Sequence, residues 1–159
     1  MKGKKIMTIR FATVNDLSII NSLFYELDSL SIEQQPQHFQ RGERSIEYLT
    51  EIINNDNSVF LVCELDNEVI GFSLIYLKEV KGLNLLVPCT YAYIQDFVIS
   101  KLYRNNGYGQ KLMDESKKWA ALQGAEYLRL SVIPKNTDGI RFYKKNGLME
   151  QMITMECKI

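Results

Sequence analysis

The chain has 159 residues, of which 46% are hydrophobic and 24% charged, the proportions of one ordinary globular domain with a substantial core. Lysine plus arginine and aspartate plus glutamate each total 19, so the net charge is near zero and gives no support to a nucleic-acid or membrane-surface partner. No apolar run approaches the ~20 residues a membrane span needs, and the basic start Met1-Lys2-Gly3-Lys4-Lys5 leads into no signal-type apolar core. A single domain over residues 1–159, located in the cytoplasm, is the expectation.

In chain order, residues 6–12 read as a first strand. Thr13 is placed to cap a helix with Asp16 in its first turn, and Leu17, Ile20, Phe24 and Leu27 follow at helical spacing. Residues 31–43 are polar, hold Pro36 and Gly42, and read as a mobile connection. A second helix is expected over 44–54, ended by Asn54-Asn55-Asp56-Asn57. Residues 58–64 are rich in Val, Phe and Leu, and Asp66-Asn67 separates them from a second arm over 68–76, the pattern of a tight hairpin. Gly71 inside that arm predicts a bulge or a close backbone approach. Residues 78–88 read either as a loop or as an extension of the hairpin.

Residues 91–99 form the next predicted strand, which enters a polar turn with two glycines and then a helix carrying Leu112, Met113, Ser116, Trp119 and Ala120 on one face. Gly124 is its expected C-terminal stop. Residues 127–133 predict another strand, ended by Pro134. Asn136 or Thr137 caps a short helix through Lys145, closed by Asn146-Gly147. Last, Ile153, Met155, Cys157 and Ile159 alternate with polar residues, the pattern of a strand with one buried face. The order predicts an α/β fold with a mixed, mostly antiparallel central sheet flanked by helices.

Cys63, Cys89 and Cys157 are odd in number and show no Cys-x-x-Cys pair, which predicts reduced thiols and no metal site. His38, the sole histidine, is the one candidate for a histidine-based triad and lies in the polar connection.

The segment 95–113 is the most informative. A strand that feeds a glycine-rich turn at a helix N-terminus makes an anion site, because the first N–H groups of a helix have no internal acceptor and the helix dipole is positive there. The turn lacks the Lys-Ser/Thr of a nucleotide P-loop, and Leu112 stands where a dinucleotide fingerprint needs its third glycine. What remains is Arg104-x-x-Gly107-x-Gly109. A second pattern follows, Asn136-Thr137-Asp138-Gly139-Ile140-Arg141-Phe142-Tyr143, ending in Gly147-Leu148. In their order and spacing the two resemble the motifs of the GCN5-related N-acetyltransferases, with Gly139 in place of the usual alanine and Leu148 in place of the usual phenylalanine.

The resemblance implies the acyl-CoA N-acyltransferase fold and an enzyme that transfers the acetyl group of acetyl-CoA to a primary amine of a small molecule or peptide, by direct attack in a ternary complex and without a metal. It implies that N–H groups from Asn105, Asn106, Gly107, Tyr108, Gly109 and Gln110 cradle the coenzyme pyrophosphate. Arg104 would pair with phosphate or order the turn. The backbone of Val98 and Ile99 would bond the pantetheine arm beside a strand bulge, an N–H near Ile99 would meet the oxyanion, and Asn136 would contact the arm or cap its helix.

Tyr143 would stand beside the thioester sulfur as a proton donor; without the motif it is a packed aromatic. Several members of the family, notably polyamine-type acetyltransferases, carry Glu-Asp where this chain has Gln95-Asp96, which leaves Asp96 as base, or water positioned by Gln95 and Tyr93; otherwise Asp96 is a structural carboxylate. Gln95 and Asp96 should face opposite sides of the sheet unless a bulge intervenes. Glu26, Asp28 and Glu33 near the expected amine site suggest either a cationic substrate or a solvated helix face. The rival to an enzyme is a non-catalytic acyl-CoA-binding or sensing domain of the same fold. Many members of the family pair as dimers, so the resemblance admits a homodimer.

Overall fold

The structure, a computed structural model, describes residues 5–82 and 84–159. Most of the basic start and Leu83 of the 78–88 segment lie outside those residues. Five strands, β1 (Met7–Phe11), β2 (Ser58–Leu65), β3 (Glu68–Val80), β4 (Cys89–Ile99) and β5 (Tyr127–Leu130), lie in the order β1-β2-β3-β4-β5. All neighbours are antiparallel except β4 and β5, which run parallel. The expected mixed, mostly antiparallel sheet is therefore present.

Side chains alternate across the sheet and build two cores. On one face, Phe60, Val62, Phe72, Leu74 and Val98 pack on Ile20, Leu23 and Phe24 of α1 (Leu17–Gln34) and on Leu49 and Ile52 of α2 (Ile46–Ile53). On the other, Leu61, Cys63, Ile75, Ala92, Ile94 and Ile99 pack on Leu112, Met113, Trp119 and Ala120 of α3 (Tyr108–Leu122), with Phe142 and Tyr143 of α4 (Thr137–Lys145) at the margin. At the entry to α1, Thr13 and Asp16 form a reciprocal capping box, and Arg10 pairs with buried Asp16 at 2.8 Å and with Glu64 at 2.6 Å.

The hairpin turn sits at Asp66 and Asn67, with φ of 50° and 67°, values that match the twist of a two-residue connection. Gly71 meets both expectations placed on it. Ile70 is left without a register partner where the ladder shifts, and a Cβ at Gly71 would stand 2.4 Å from the carbonyl oxygen of Val98.

Four boundaries differ from expectation. Helix α1 continues through Gln34; Ser29 and Ser31 bond back to the carbonyls of Tyr25 and Leu27, so these polar residues stay helical until Pro36 forbids the conformation at Gln35. Strand β3 runs past residue 76 to Val80 and pairs with β4 from Cys89, so residues 77–80 extend the hairpin, one of the two readings given to the 78–88 segment. Strand β5 ends at Leu130, short of residue 133. Residues 148–159 form no strand, and Ile153, Met155 and Ile159 are exposed. Alternation marks a segment fit for pairing, but an edge must be there to receive it.

Candidate functional site

The site begins at an irregularity in β4. Asp96 pairs with Leu74 and Ile94 with Ile75, which leaves Gln95 as the extra residue of a bulge. The bulge changes which way the side chains point. Ile94 faces α3, and Gln95 and Asp96 both line one cavity on the α1/α2 face. The parallel ladder to β5 also stops at Ile94, so residues 95–99 have no ladder partner on that side. One local distortion thus opens the sheet and turns a carboxylate into a cavity.

Beyond Ile99 the chain makes one tight turn over Lys101–Tyr103 and enters the glycine segment. Asn105 and Gly107 have φ of 61° and 82°. No side-chain or loop carbonyl among the described residues accepts from the N–H groups of Gly107, Tyr108, Gly109 or Gln110, which open α3 and have no helical acceptor. A Cβ at Gly107 would meet nothing within 4 Å, and one at Gly109 would meet Ile99 and Phe142 only at 3.7 Å. The space over the turn is open, and it suits a diphosphate held by converging N–H groups.

Side chains hold the turn from behind. Arg104 Nε donates to the Ile99 carbonyl at 2.8 Å, and Asn106 Nδ2 donates to the carbonyls of Tyr103 and Arg104. Of the two roles open to Arg104, ordering the turn has a bond in the structure. Glu26 of α1 accepts from Ser100 Oγ at 2.9 Å and from the Lys101 N–H at 3.0 Å. Gln110 exchanges two side-chain bonds with buried Asn146, which clamps the start of α3 to the end of α4.

Helix α4 is capped by Asn136, whose Oδ1 accepts from the Gly139 N–H at 3.0 Å. Gly139 permits this, since a Cβ there would stand 2.5 Å from the Asn136 amide nitrogen. The cap carries Tyr143 to the opening in the sheet. Its ring meets Phe97 of β4 edge-on at 6.4 Å and Phe142 at 5.6 Å. Phe142 in turn borders Gly109, so the aromatic cluster joins the turn to the tyrosine. Burial pushes the Tyr143 phenol up to about 12, which keeps it protonated and able to donate.

The cavity on the other face, about 490 Å³, is lined by Phe24, Arg44, Tyr48, Leu74, Tyr76, Lys78, Gln95 and Asp96. Burial raises the Asp96 carboxyl from 3.8 to about 6; Arg44 opposes the rise and Asp28 adds to it. Arg44 is bound at both nitrogens by Asp28 and lies over the Phe24 ring. A carboxylate near 6 in a half-buried cavity is ionised at neutral pH and far more basic than a solvated one.

A sequence profile of the Acetyltransferase (GNAT) family matches residues 24–148. The chain belongs to this family. The protein is 28% identical over 151 residues to the N-acetyltransferase YhfO of Bacillus subtilis, itself uncharacterised, with 91% of each chain covered. Its fold matches the crystal structure of a mutant BH1408 protein from Bacillus halodurans with a TM-score of 0.92 at 20% identity, covering 96% of this chain and 99% of that one. It also matches the aminoglycoside N-acetyltransferase AAC(6')-Iy in complex with CoA, with a TM-score of 0.74 at 15% identity over 100% and 98% of the two chains.

In this member of the GNAT family the residues singled out from sequence fall into two groups. Val98, Ile99, the turn from Arg104 to Gln110, and Tyr143 gather along the open side of β4, with Asn136 behind them as a cap. Asp96 faces the opposite cavity. Tyr93 does not line that cavity; its hydroxyl bonds Ser131 at 2.9 Å. His38 contacts Glu156 near the C-terminus, away from both places. Of the three carboxylates near the expected amine site, Glu26 holds the turn and Asp28 holds Arg44. Arg44, Tyr48, Tyr76 and Lys78 carried no motif, and Glu26 no sign of its part in the turn. No helix among the described residues is long and apolar enough to cross a membrane.

Proposed function

We propose that the protein is an acetyl-CoA-dependent N-acetyltransferase in which a primary amine attacks the thioester directly, within a ternary complex. The observation that carries this reading is the bulge at Gln95, which puts Asp96 into one cavity while opening β4 toward Tyr143 and the glycine turn on the other side.

Each residue then has one task. The N–H groups of Asn105–Gln110 hold the pyrophosphate. Val98 and Ile99 offer backbone groups to the pantetheine arm where β5 has diverged, and an N–H near Ile99 meets the developing oxyanion. Asp96 takes the proton from the bound ammonium or from the amine as it bonds to carbon. Against an alkyl ammonium near 10.4, the rise of Asp96 to about 6 narrows the uphill transfer by about 3 kcal/mol. Tyr143 donates a hydrogen bond that tightens as charge builds on the departing sulfur. The thiolate of a thiol near 8.5 is a weaker base than this phenolate, so the proton need not transfer fully.

The cysteines support attack without an acetyl-enzyme: none lines the cavity, and burial raises the Cys63 thiol to about 11. The test is thiol release from acetyl-CoA across a panel of primary amines. Turnover with saturation in both substrates and no partial exchange is expected. Tight coenzyme binding with no turnover on any amine would replace the enzyme with a sensor.

A further inference from the structure

The charge pattern of the Asp96 cavity bears on what kind of amine enters it, an argument that rests on the acetyltransferase reading above. Arg44 and Asp28 neutralise each other through their paired bonds. Two charges remain on the wall. Asp96 is one. Lys78 is the other; its ammonium stands 4.6 Å from the centre of the Tyr93 ring and has no carboxylate partner among the described residues.

Their positions in the sheet lie well apart. Leu74, Tyr76 and Lys78 share one face of β3, and Asp96 pairs with Leu74. Four residues of extended chain, about 14 Å, separate the register positions of Asp96 and Lys78. The wall between them is Leu74, Tyr76 and Tyr48, largely apolar and aromatic. A polycation would place a second ammonium against Lys78, where like charges repel. An α-amino acid would keep its carboxylate about two bonds from the nitrogen, too near Asp96 to reach the lysine.

We propose that the acceptor is a monoamine whose anionic group, a carboxylate or phosphate, lies several bonds from the nitrogen across an apolar spacer, with Lys78 receiving the anion while Asp96 receives the amine. Lys78 is then a specificity-determining residue. Swapping the charge at the far end of the ligand, or at position 78, should swap the preference.

The experiment compares 6-aminohexanoate with hexane-1,6-diamine, which share the amine and the spacer and differ in the distal charge. The carboxylate should be preferred by about tenfold in kcat/KM, mostly through KM, as a partly exposed ion pair gained against a repulsion suffered. Lys78→Gln should bring the two together and Lys78→Glu should invert them, with melting temperature and coenzyme affinity unchanged as the control for folding. Calorimetric binding of the same two probes to the CoA-loaded protein reads the same order without chemistry. If neither these probes nor any amine of the panel turns over but the binding order and its inversion hold, the enzyme reading fails and the charge assignment stands. A diamine preference, an order indifferent to position 78, or no binding of either probe overturns the proposal.

Discussion

Replacing Asp96 by asparagine separates a carboxylate kept for chemistry from one kept for structure. The folded protein binds the Asp96 proton more tightly than the unfolded chain does, because the carboxyl is raised from 3.8 to about 6. A raised acid costs stability in its charged form. The cost is absent below the unfolded value, grows as pH climbs toward 6, and is complete above it. Its full size is about 3 kcal/mol, and the partial access of solvent to the cavity brings the expected value to about 1–2 kcal/mol. The groups that face Asp96, namely Arg44, Tyr48, Tyr76, Lys78 and Asp28 behind Arg44, are unchanged in the variant.

Asp96→Asn should therefore be more stable than the parent by about 1–2 kcal/mol near pH 7.5, with a melting temperature about 2–8 °C higher, and the gain should shrink toward zero near pH 4. Urea unfolding at the two pH values reads this. In the same variant kcat/KM should fall by about 10²–10⁴, and the limb of the parent's pH profile that rises through about 6 should vanish. A structural carboxylate would behave oppositely: its removal would leave Arg44 short of an attractive partner, lower stability at neutral pH and leave turnover alone. That pair of results would refute both the burial argument and the assignment of the base.

Tyr143→Phe should lower kcat by about 10²-fold with coenzyme affinity nearly unchanged, since the ring packing on Phe97 and Phe142 survives; equal turnover would remove the phenol from the mechanism. Gly71→Ala should cost about 1–3 kcal/mol in urea unfolding and weaken coenzyme binding, because its methyl meets the Val98 carbonyl, a backbone atom of the strand expected to grip the arm; an unchanged stability would show that β4 shifts freely. Glu26→Gln should raise the KM for acetyl-CoA several-fold and leave the KM for the amine in place, because Glu26 ties down Ser100 and Lys101 rather than facing the cavity; a change confined to the amine KM would contradict this.

What was legible in the sequence is what depends on neighbouring residues alone. Asn105, Gly107 and Gly109 declare a turn because the conformation and the bare N–H groups are properties of that short stretch. Asn136 and Tyr143 sit on one short helix whose cap is written beside it. The apolar runs of β2 and β3 read as strands from their composition, and Asp66-Asn67 marked the hairpin between them. The Ile153–Ile159 pattern shows the limit of the same logic. Period two says which side chains would share a face once paired, and says nothing about a partner.

The cavity was hidden for a different reason. It exists because Gln95 has no partner on β3, and a bulge is a relation between two strands, visible in neither alone. The missing partner puts Gln95 and Asp96 on one side of the sheet, where alternation would have put them on opposite sides. Ordinary alternation on β3 adds Leu74, Tyr76 and Lys78 to the wall, and α1, the segment before α2 and α2 itself add Phe24, Arg44 and Tyr48. None of these carries a motif, because the demand on each is only to present a charge or a ring at the right place, which many neighbouring sequences can meet. A glycine turn specifies itself, whereas a cavity assembled from several elements specifies only a shape and a charge balance. The proposed acyl donor is therefore read from a turn of six residues, while the proposed acceptor has to be read from Asp96 and Lys78, brought to the wall of one cavity by the fold.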